Sequence, residues 1–157
     1  MIKNVRHFGV VVTDMERSLK FYRDLLGLDI ERELHESGEF LDNMLKLKNV
    51  KVHTIKMSAL GGTTLVELLK FDSHSKDSSQ NSDISNIGAS HLAFTVENIH
   101  DTYSKLKNAG IHFNAPPQSS PDGYAKVTFC QDPDGTPIEL VEVLDPSIAQ
   151  KTNDKND

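Results

Sequence analysis

A pattern that occurs twice constrains this chain more than any other feature of its sequence. HFGVVVTDMERSLKFYRDLLGL starts at His7, and HLAFTVENIHDTYSKLKNAG starts at His91. Each copy has a His, a short apolar run, an Asp or Asn, and a longer run with helical spacing that ends at Gly. The separation from His to Gly is 20 positions in the first copy and 19 in the second. Since a repeat fixes the architecture, we predict two equivalent modules.

Each module is predicted to contain a strand, a helix and three further strands. Apolar residues alternate after each His, which is typical of a strand with one buried face. Asp14 and Asn98 stand where a helix N-cap accepts backbone N–H bonds, and Gly27 and Gly110 stand where a helix ends. The sequence therefore predicts an α+β fold of two tandem βαβββ modules. The later strands are predicted at 28–33, 50–57 and 63–71 in the first module and at 111–114, 125–130 and 137–143 in the second.

Shifts in composition divide the chain into four parts. The first module occupies 1–71, with a short helical insertion near 39–47, and the second occupies 88–144. Residues 72–87 are rich in Ser, Asp, Asn and Lys and have no apolar period, so we predict a flexible linker there. Residues 145–157 are predicted to be a polar tail.

Charge and cysteine content exclude several classes of function. The formal net charge of -6 and the absence of a basic run argue against nucleic acid or an anionic membrane as partner. The apolar runs are too short for a signal peptide or a membrane span, so we expect a cytoplasmic protein. The single cysteine, Cys130, permits no internal disulfide, and its surroundings in the sequence suggest no base that would make it a nucleophile.

Two predicted strands carry a carboxylate on a face that is otherwise apolar. Glu67 and Glu139 lie in the last strand of their modules, just as His7 and His91 open the first strand. A half-buried carboxylate requires a partner, and two imidazoles with two carboxylates suit a divalent ion such as Ni, Co, Zn, Mn or Fe(II). A single strand His is more often an ordinary core or surface residue, so that alternative stays open here. The repetition favours a metal site at His7, Glu67, His91 and Glu139.

The chain resembles the vicinal oxygen chelate superfamily, which includes glyoxalase I, methylmalonyl-CoA epimerase, extradiol dioxygenases and drug-resistance proteins. The resemblance covers about 4–144 and rests on RHFGVVVTDMERSLKFYRDLLGL, GGTTLVELL, SHLAFTVENI and CQDPDGTPIELVEV. It implies a curved eight-stranded sheet around a metal cleft. It also implies that the positions of the family's metal ligands correspond to His7, Glu67, His91 and Glu139.

The ligand set favours an isomerase or lyase. The order His, Glu, His, Glu resembles bacterial glyoxalase I and approximates the epimerase, where Gln is usual at the station of Glu67. A proton shift beside a carbonyl needs a general base, for which Glu139 and Glu67 are the first choices. Glu36 or Glu39, near the inserted segment, is the alternative base. We expect a small-molecule carbonyl, thiol-adduct or thioester substrate and a homodimer.

Two other classes of function remain open. One is a ring-cleaving Fe(II) dioxygenase. The other is a metal-free drug-binding protein, for which the net negative charge of the chain would suit a cationic ligand. Tyr124 and Lys126 either contact an anionic group of the substrate or pack a loop. Solvated or packing roles are expected for the histidines that do not repeat: His35, His53, His74, His100 and His112.

Overall fold

A computed structural model describes residues 1–74 and 84–144 of the chain. It divides into two compact units, Met1–Asn81 and Ser82–Asp157, which are described separately below. The centre of the predicted linker, 75–83, and the predicted tail, 145–157, lie outside the described residues. The module limits given above therefore stay predictions.

The first unit contains one mixed sheet of four strands. In chain order its elements are β1 (His7–Val11), α1 (Met15–Leu19) continuing as a π-helix (Lys20–Leu25), β2 (Asp29–Ser37), α2 (Glu39–Leu45), β3 (Lys51–Ser58) and β4 (Leu65–Phe71). The strand order is β1-β4-β3-β2, in which β1 runs parallel to β4 and the other neighbours are antiparallel. This arrangement is a βαβββ module with α2 inserted between its second and third strands.

The core of the first unit lies between the helical segment and one face of the sheet. Val10, Leu68 and Ile55 are neighbours across β1, β4 and β3, and all three are buried. Phe21 and Tyr22 of the helical segment are buried as well, and α1 contacts β4. Because side chains alternate along a strand, the opposite face of the sheet carries His7 and Glu67.

The second unit repeats this arrangement. Its elements are β5 (Leu92–Thr95), α3 (Ile99–Asn108), β6 (Gln118–Ser119), β7 (Ala125–Gln131) and β8 (Pro137–Val143), with strand order β5-β8-β7-β6. The helix starts where the sequence predicts, because the side chain of Asn98 accepts hydrogen bonds from the backbone N of His100 and Asp101 at 3.0 and 3.1 Å. Ile99 and Leu106 of α3 are buried, and α3 contacts β8.

The prediction of two βαβββ modules in an α+β fold is confirmed, but the positions of two strands were wrong. No strand forms at 111–114 within the described chain, where only Phe113 bridges to Cys130, and the fourth strand is β6. Pro116 and Pro117 lack the N–H that a continued ladder would need. Strand β2 extends beyond position 33 to Ser37, since it pairs with β3 over that length. The first helix becomes π-helical from Lys20, with Leu26 N donating to Phe21 O at 2.9 Å.

In the described part of the chain no helix is long and apolar enough to cross a membrane.

Candidate functional site

The first predicted pair of ligands forms within the first unit. In the parallel pairing of β1 with β4, His7 is opposite Leu65 and Gly9 is opposite Glu67, so His7 and Glu67 share one face of the sheet. His7 Nε2 lies 3.0 Å from Glu67 Oε2. Glu67 is one of few buried charged residues, with 8% of its surface exposed. A carboxylate at this depth requires compensation by hydrogen bonds or positive charge.

Lys56 supplies much of that compensation, and sequence reasoning missed it. Lys56 is the cross-strand partner of Glu67, and its Nζ lies 2.8 Å from Glu67 Oε1. The Glu67 carboxylate therefore lies between an imidazole on one oxygen and an ammonium on the other. The position of Lys56 within the strand-like run VHTIKM indicated that its charge needs a partner. The identity of that partner, however, depends on the register of β3 against β4.

The second predicted pair forms in the same way within the second unit. His91 directly precedes β5, and Glu139 lies in β8 opposite Ala93. His91 Nε2 lies 3.1 Å from Glu139 Oε2. The partner of Glu139 across β7 is Phe129, whose ring meets the His91 ring edge to face at 5.4 Å between centroids. Each repeat thus brings together the His and the Glu that occupy equivalent positions in the two modules.

The donor atoms of each pair fit a divalent cation. Metal bonds of about 2.1 Å place neighbouring ligand atoms about 3.0 Å apart around an octahedral ion and about 3.4 Å apart around a tetrahedral one. The Nε2 to Oε2 distances of 3.0 Å at His7 and 3.1 Å at His91 match the octahedral spacing. Imidazole and carboxylate are also donors that Ni, Co, Zn, Mn and Fe(II) accept.

The alternative base residues take different positions. Glu36 pairs with Val52 in β2 and β3, which places it on the same sheet face as Glu67, and its Oε2 accepts a hydrogen bond from Thr54 Oγ1 at 3.1 Å. Glu39 is the exposed first residue of α2.

The two residues expected in a loop also differ in position. Lys126 pairs with Glu142 and so lies on the sheet face opposite to Glu139, away from the second pair. Tyr124 precedes β7, and its backbone N donates to Asp122 Oδ1 at 3.0 Å. Neither feature supports contact with a substrate at Glu139.

Cys130 is a structural residue of β7. Its side chain is buried, and burial raises the pKa of its thiol to about 12, with a further increase from the nearby Asp132 carboxylate. The thiolate that a nucleophile requires is therefore scarce at neutral pH. This agrees with the prediction that Cys130 takes no part in catalysis.

The histidines without a counterpart have various surroundings. His100 is exposed on α3, and His74 Nδ1 lies 2.7 Å from Ser73 Oγ. His35 and His53 are neither isolated nor simply solvated, because their rings stack and Glu33 contacts His53. The sequence did not predict this cluster, because it depends on the register of β2 against β3.

Comparison with known proteins places the chain in a family. It belongs to the Glyoxalase/Bleomycin resistance protein/Dioxygenase superfamily, whose family model matches residues 4–140. This confirms the resemblance inferred from the sequence, and members of the superfamily typically bind a divalent metal.

Individual relatives agree with the family assignment. A probable lactoylglutathione lyase of Synechocystis sp. is 28% identical over 138 residues, which cover 87% of this chain and 92% of that protein. A glyoxalase family protein from Bacillus cereus has the same fold, with a TM-score of 0.83 at 20% identity over 92% of this chain and 97% of its own. A glyoxalase family protein from Enterococcus faecalis is 26% identical, with a TM-score of 0.63 and coverage of 89% and 98%.

Proposed function

We propose that this protein is a divalent-metal-dependent isomerase or lyase in which His7, Glu67, His91 and Glu139 bind one ion. The observation that carries the proposal is the pair of matching His–Glu contacts, at 3.0 and 3.1 Å, at the same station of each module. Two such pairs supply four donors, which leaves positions on an ion such as Ni, Co, Zn, Mn or Fe(II) for substrate. The relatedness to a probable lactoylglutathione lyase supports this class of reaction.

The proposed reaction is a proton transfer beside a carbonyl group. When bound, the ion would act as a Lewis acid that stabilises negative charge on the carbonyl oxygen of the substrate. A carboxylate of the chain removes the proton from the adjacent carbon and returns it to the neighbouring position or to the other face of the same carbon. The substrate class is a small carbonyl compound, a thiol adduct of one, or a thioester.

Differences between the two glutamates favour Glu139 as the base. Both oxygens of Glu67 are engaged, one by His7 and one by Lys56. Glu139 Oε2 contacts His91, whereas its Oε1 has no hydrogen-bond or ion-pair partner among the residues that the structure describes. The Glu139 side chain is also more exposed, at 21% against 10% for Glu67. A carboxylate with a free oxygen can accept a proton without losing an existing bond, so Glu67 remains a ligand and Glu139 accepts the proton.

The experiment that tests this proposal combines metal analysis with solvent exchange. Protein purified without a chelator should contain a divalent ion that His91→Ala removes. In heavy water it should place deuterium beside the carbonyl of a hemithioacetal or a 2-methyl-branched acyl-CoA. Glu139→Gln should slow this exchange by about 100-fold or more, because general base catalysis contributes rate factors of about 10²–10⁴.

Three results would contradict the proposal. Exchange at the wild-type rate in a metal-loaded Glu139→Gln protein would place the base elsewhere, with Glu67 and then Glu36 as the next positions to substitute. Oxygen uptake with catechols after anaerobic Fe(II) loading, without any exchange, would indicate a dioxygenase. Stoichiometric binding of a cationic drug by metal-free protein, again without exchange, would indicate a drug-binding protein.

We propose further that the protein is a cytoplasmic homodimer. Each four-stranded sheet has two edge strands, and pairing between copies is a common way to cover such edges. Light scattering coupled to size exclusion should give twice the chain mass of 17.5 kDa. A mass of one chain at working concentration would contradict the dimer.

A further inference from the structure

We propose that Glu33, His35 and His53 form a second site for a divalent transition metal, separate from the His–Glu pairs described above. One donor atom from each residue lies within 4.8 Å of the others. His35 and His53 are direct partners in the antiparallel pairing of β2 with β3, and Glu33 precedes His35 by two positions. The three side chains therefore project from one face of the sheet.

The donor set has the composition of a metal site. Two imidazoles and one carboxylate bind Fe(II), Zn, Co and related ions in proteins. His53 Nε2 already lies 2.7 Å from Glu33 Oε1, and the rings of His35 and His53 stack with centroids 4.1 Å apart at 17°. A tetrahedral ion with bonds of about 2.1 Å needs donor atoms about 3.4 Å apart. The three donor atoms lie within 4.8 Å of one another, so small side-chain rotations bring them to that separation.

The charges around the cluster also suit a cation. Lys70, the partner of His53 in β4, contacts the carboxylate of Asp72, so its positive charge is offset. The hydrogen bond from Lys70 holds the pKa of Asp72 below its usual value, and charge interactions with His53 and His35 contribute to the same shift. Asp72 thus adds negative charge in the surroundings of both imidazoles.

This site is independent of the proposed function. Glu33 pairs with Ile55, whereas Lys56, the next residue of β3, pairs with Glu67. Side chains alternate along β3, so the cluster and Glu67 lie on opposite faces of the sheet. Strand β2 is the edge of that sheet and has β3 as its single neighbour. An ion held by both strands would fasten this edge strand to the sheet.

The test uses Co(II) as the probe and the full chain without a histidine tag. The starting protein carries His7→Ala and His91→Ala, which remove donors of the other proposed site. We expect one Co(II) per chain to bind, with visible absorption bands from nitrogen and oxygen ligands. Adding His35→Gln should abolish this binding, and adding Glu33→Gln should weaken it by at least the factor of about 10–100 that is typical when a residue supporting a metal ligand is lost. Both residues are exposed, so the melting temperature of the metal-free protein should not change.

Two matched controls exclude general effects of the substitutions. His100→Gln changes an exposed histidine elsewhere in the chain, and Glu31→Gln changes an exposed glutamate of the same strand. Both should bind Co(II) as the starting protein does. Equal Co(II) affinity in the His35→Gln and His100→Gln proteins would overturn the proposal, as would the absence of Co(II) binding in the starting protein.

The outcome also separates this site from the proposed function. If wild-type protein binds two Co(II), one lost with His7→Ala and His91→Ala and the other with His35→Gln, both sites are supported. If wild-type protein binds a single Co(II), which withstands His7→Ala and His91→Ala but not His35→Gln, this site alone is supported and the ligand set proposed for the reaction is contradicted. The converse pattern, in which wild-type protein loses its Co(II) with His91→Ala and keeps it with His35→Gln, overturns this site and leaves the proposed function intact.

Discussion

Replacement of Lys56 by Met in the metal-free protein should destabilise the fold through Glu67. The substitution keeps most of the aliphatic side chain and removes the ammonium 2.8 Å from Glu67 Oε1. The Glu67 side chain is 10% exposed and the Lys56 side chain 20%. The remaining contact, with His7, engages the other carboxylate oxygen. One oxygen of a largely buried carboxylate is then left without its charged partner.

The expected loss lies between the values for buried and exposed ion pairs. At 2.8 Å and an effective dielectric constant of about 20, the attraction between the two charges is about 6 kcal/mol before desolvation is subtracted. Removing one partner of a fully buried pair costs about 3–5 kcal/mol, whereas an exposed pair contributes about 0–1 kcal/mol. Because the Lys56 ammonium retains some contact with solvent, we expect a loss of about 2 kcal/mol in the free energy of unfolding. In a chain of this size that corresponds to a decrease of about 4–8 °C in Tm.

The chain offers a matched control for this experiment. Lys70 also contacts a carboxylate, that of Asp72, but those side chains are 35% and 45% exposed. Lys70→Met should therefore cost less than about 1 kcal/mol. Urea denaturation of both proteins after removal of metal by chelator measures the difference. The reasoning would be refuted if Lys56→Met and Lys70→Met had equal effects. It would also be refuted if the loss of stability in the double variant Lys56→Met/Glu67→Gln equalled the sum of the losses in the two single variants.

Three further predictions use other parts of the fold. His91→Ala should lower metal occupancy and activity far more than His100→Ala, and equal metal content in the two proteins would argue against His91 as a ligand. Cys130 should resist alkylation at pH 8 until the protein unfolds. Because its pKa rises from 9.0 to about 12 on folding, stability should fall as pH rises through that interval, and Cys130→Ala should remove this part of the slope. The buried Ser18 hydroxyl has no hydrogen-bond partner in the described part of the chain, so Ser18→Ala should gain about 1 kcal/mol in urea denaturation, while Ser104→Ala, whose exposed hydroxyl donates to His100 O, should not.

The repeat made the module architecture and the position of the paired residues predictable. Asp14 and Asn98 cap their helices as expected because capping depends on residues close in sequence. Glu67 and Glu139 lie opposite the first strands because the helix carries the chain to the far edge of the sheet, and the antiparallel strands that follow bring the last strand back beside the first, parallel to it. Local patterns and one topological rule were sufficient for these features.

Cross-strand register was the part that the sequence did not reveal. The contact of Lys56 with Glu67 and the stack of His35 on His53 depend on which residues of neighbouring strands stand opposite each other. In β2 that alignment includes an irregularity between Ile30 and Arg32, which has no clear sequence signal. The position of β6 was missed for a different reason. The alternation of apolar and polar residues at 111–114 is more typical of a strand than the two residues of β6, which follow two prolines.

The most direct test of the central claim is a Co(II) titration of metal-free protein carrying His35→Gln, with His7→Ala and His91→Ala added one at a time. If the two His–Glu pairs share one ion, the His35→Gln protein binds one Co(II) per chain, and either added substitution weakens that binding by orders of magnitude. If the pairs act separately, two Co(II) ions bind, or the single ion withstands one of the two substitutions unchanged. The second result would contradict a common metal centre formed by His7, Glu67, His91 and Glu139.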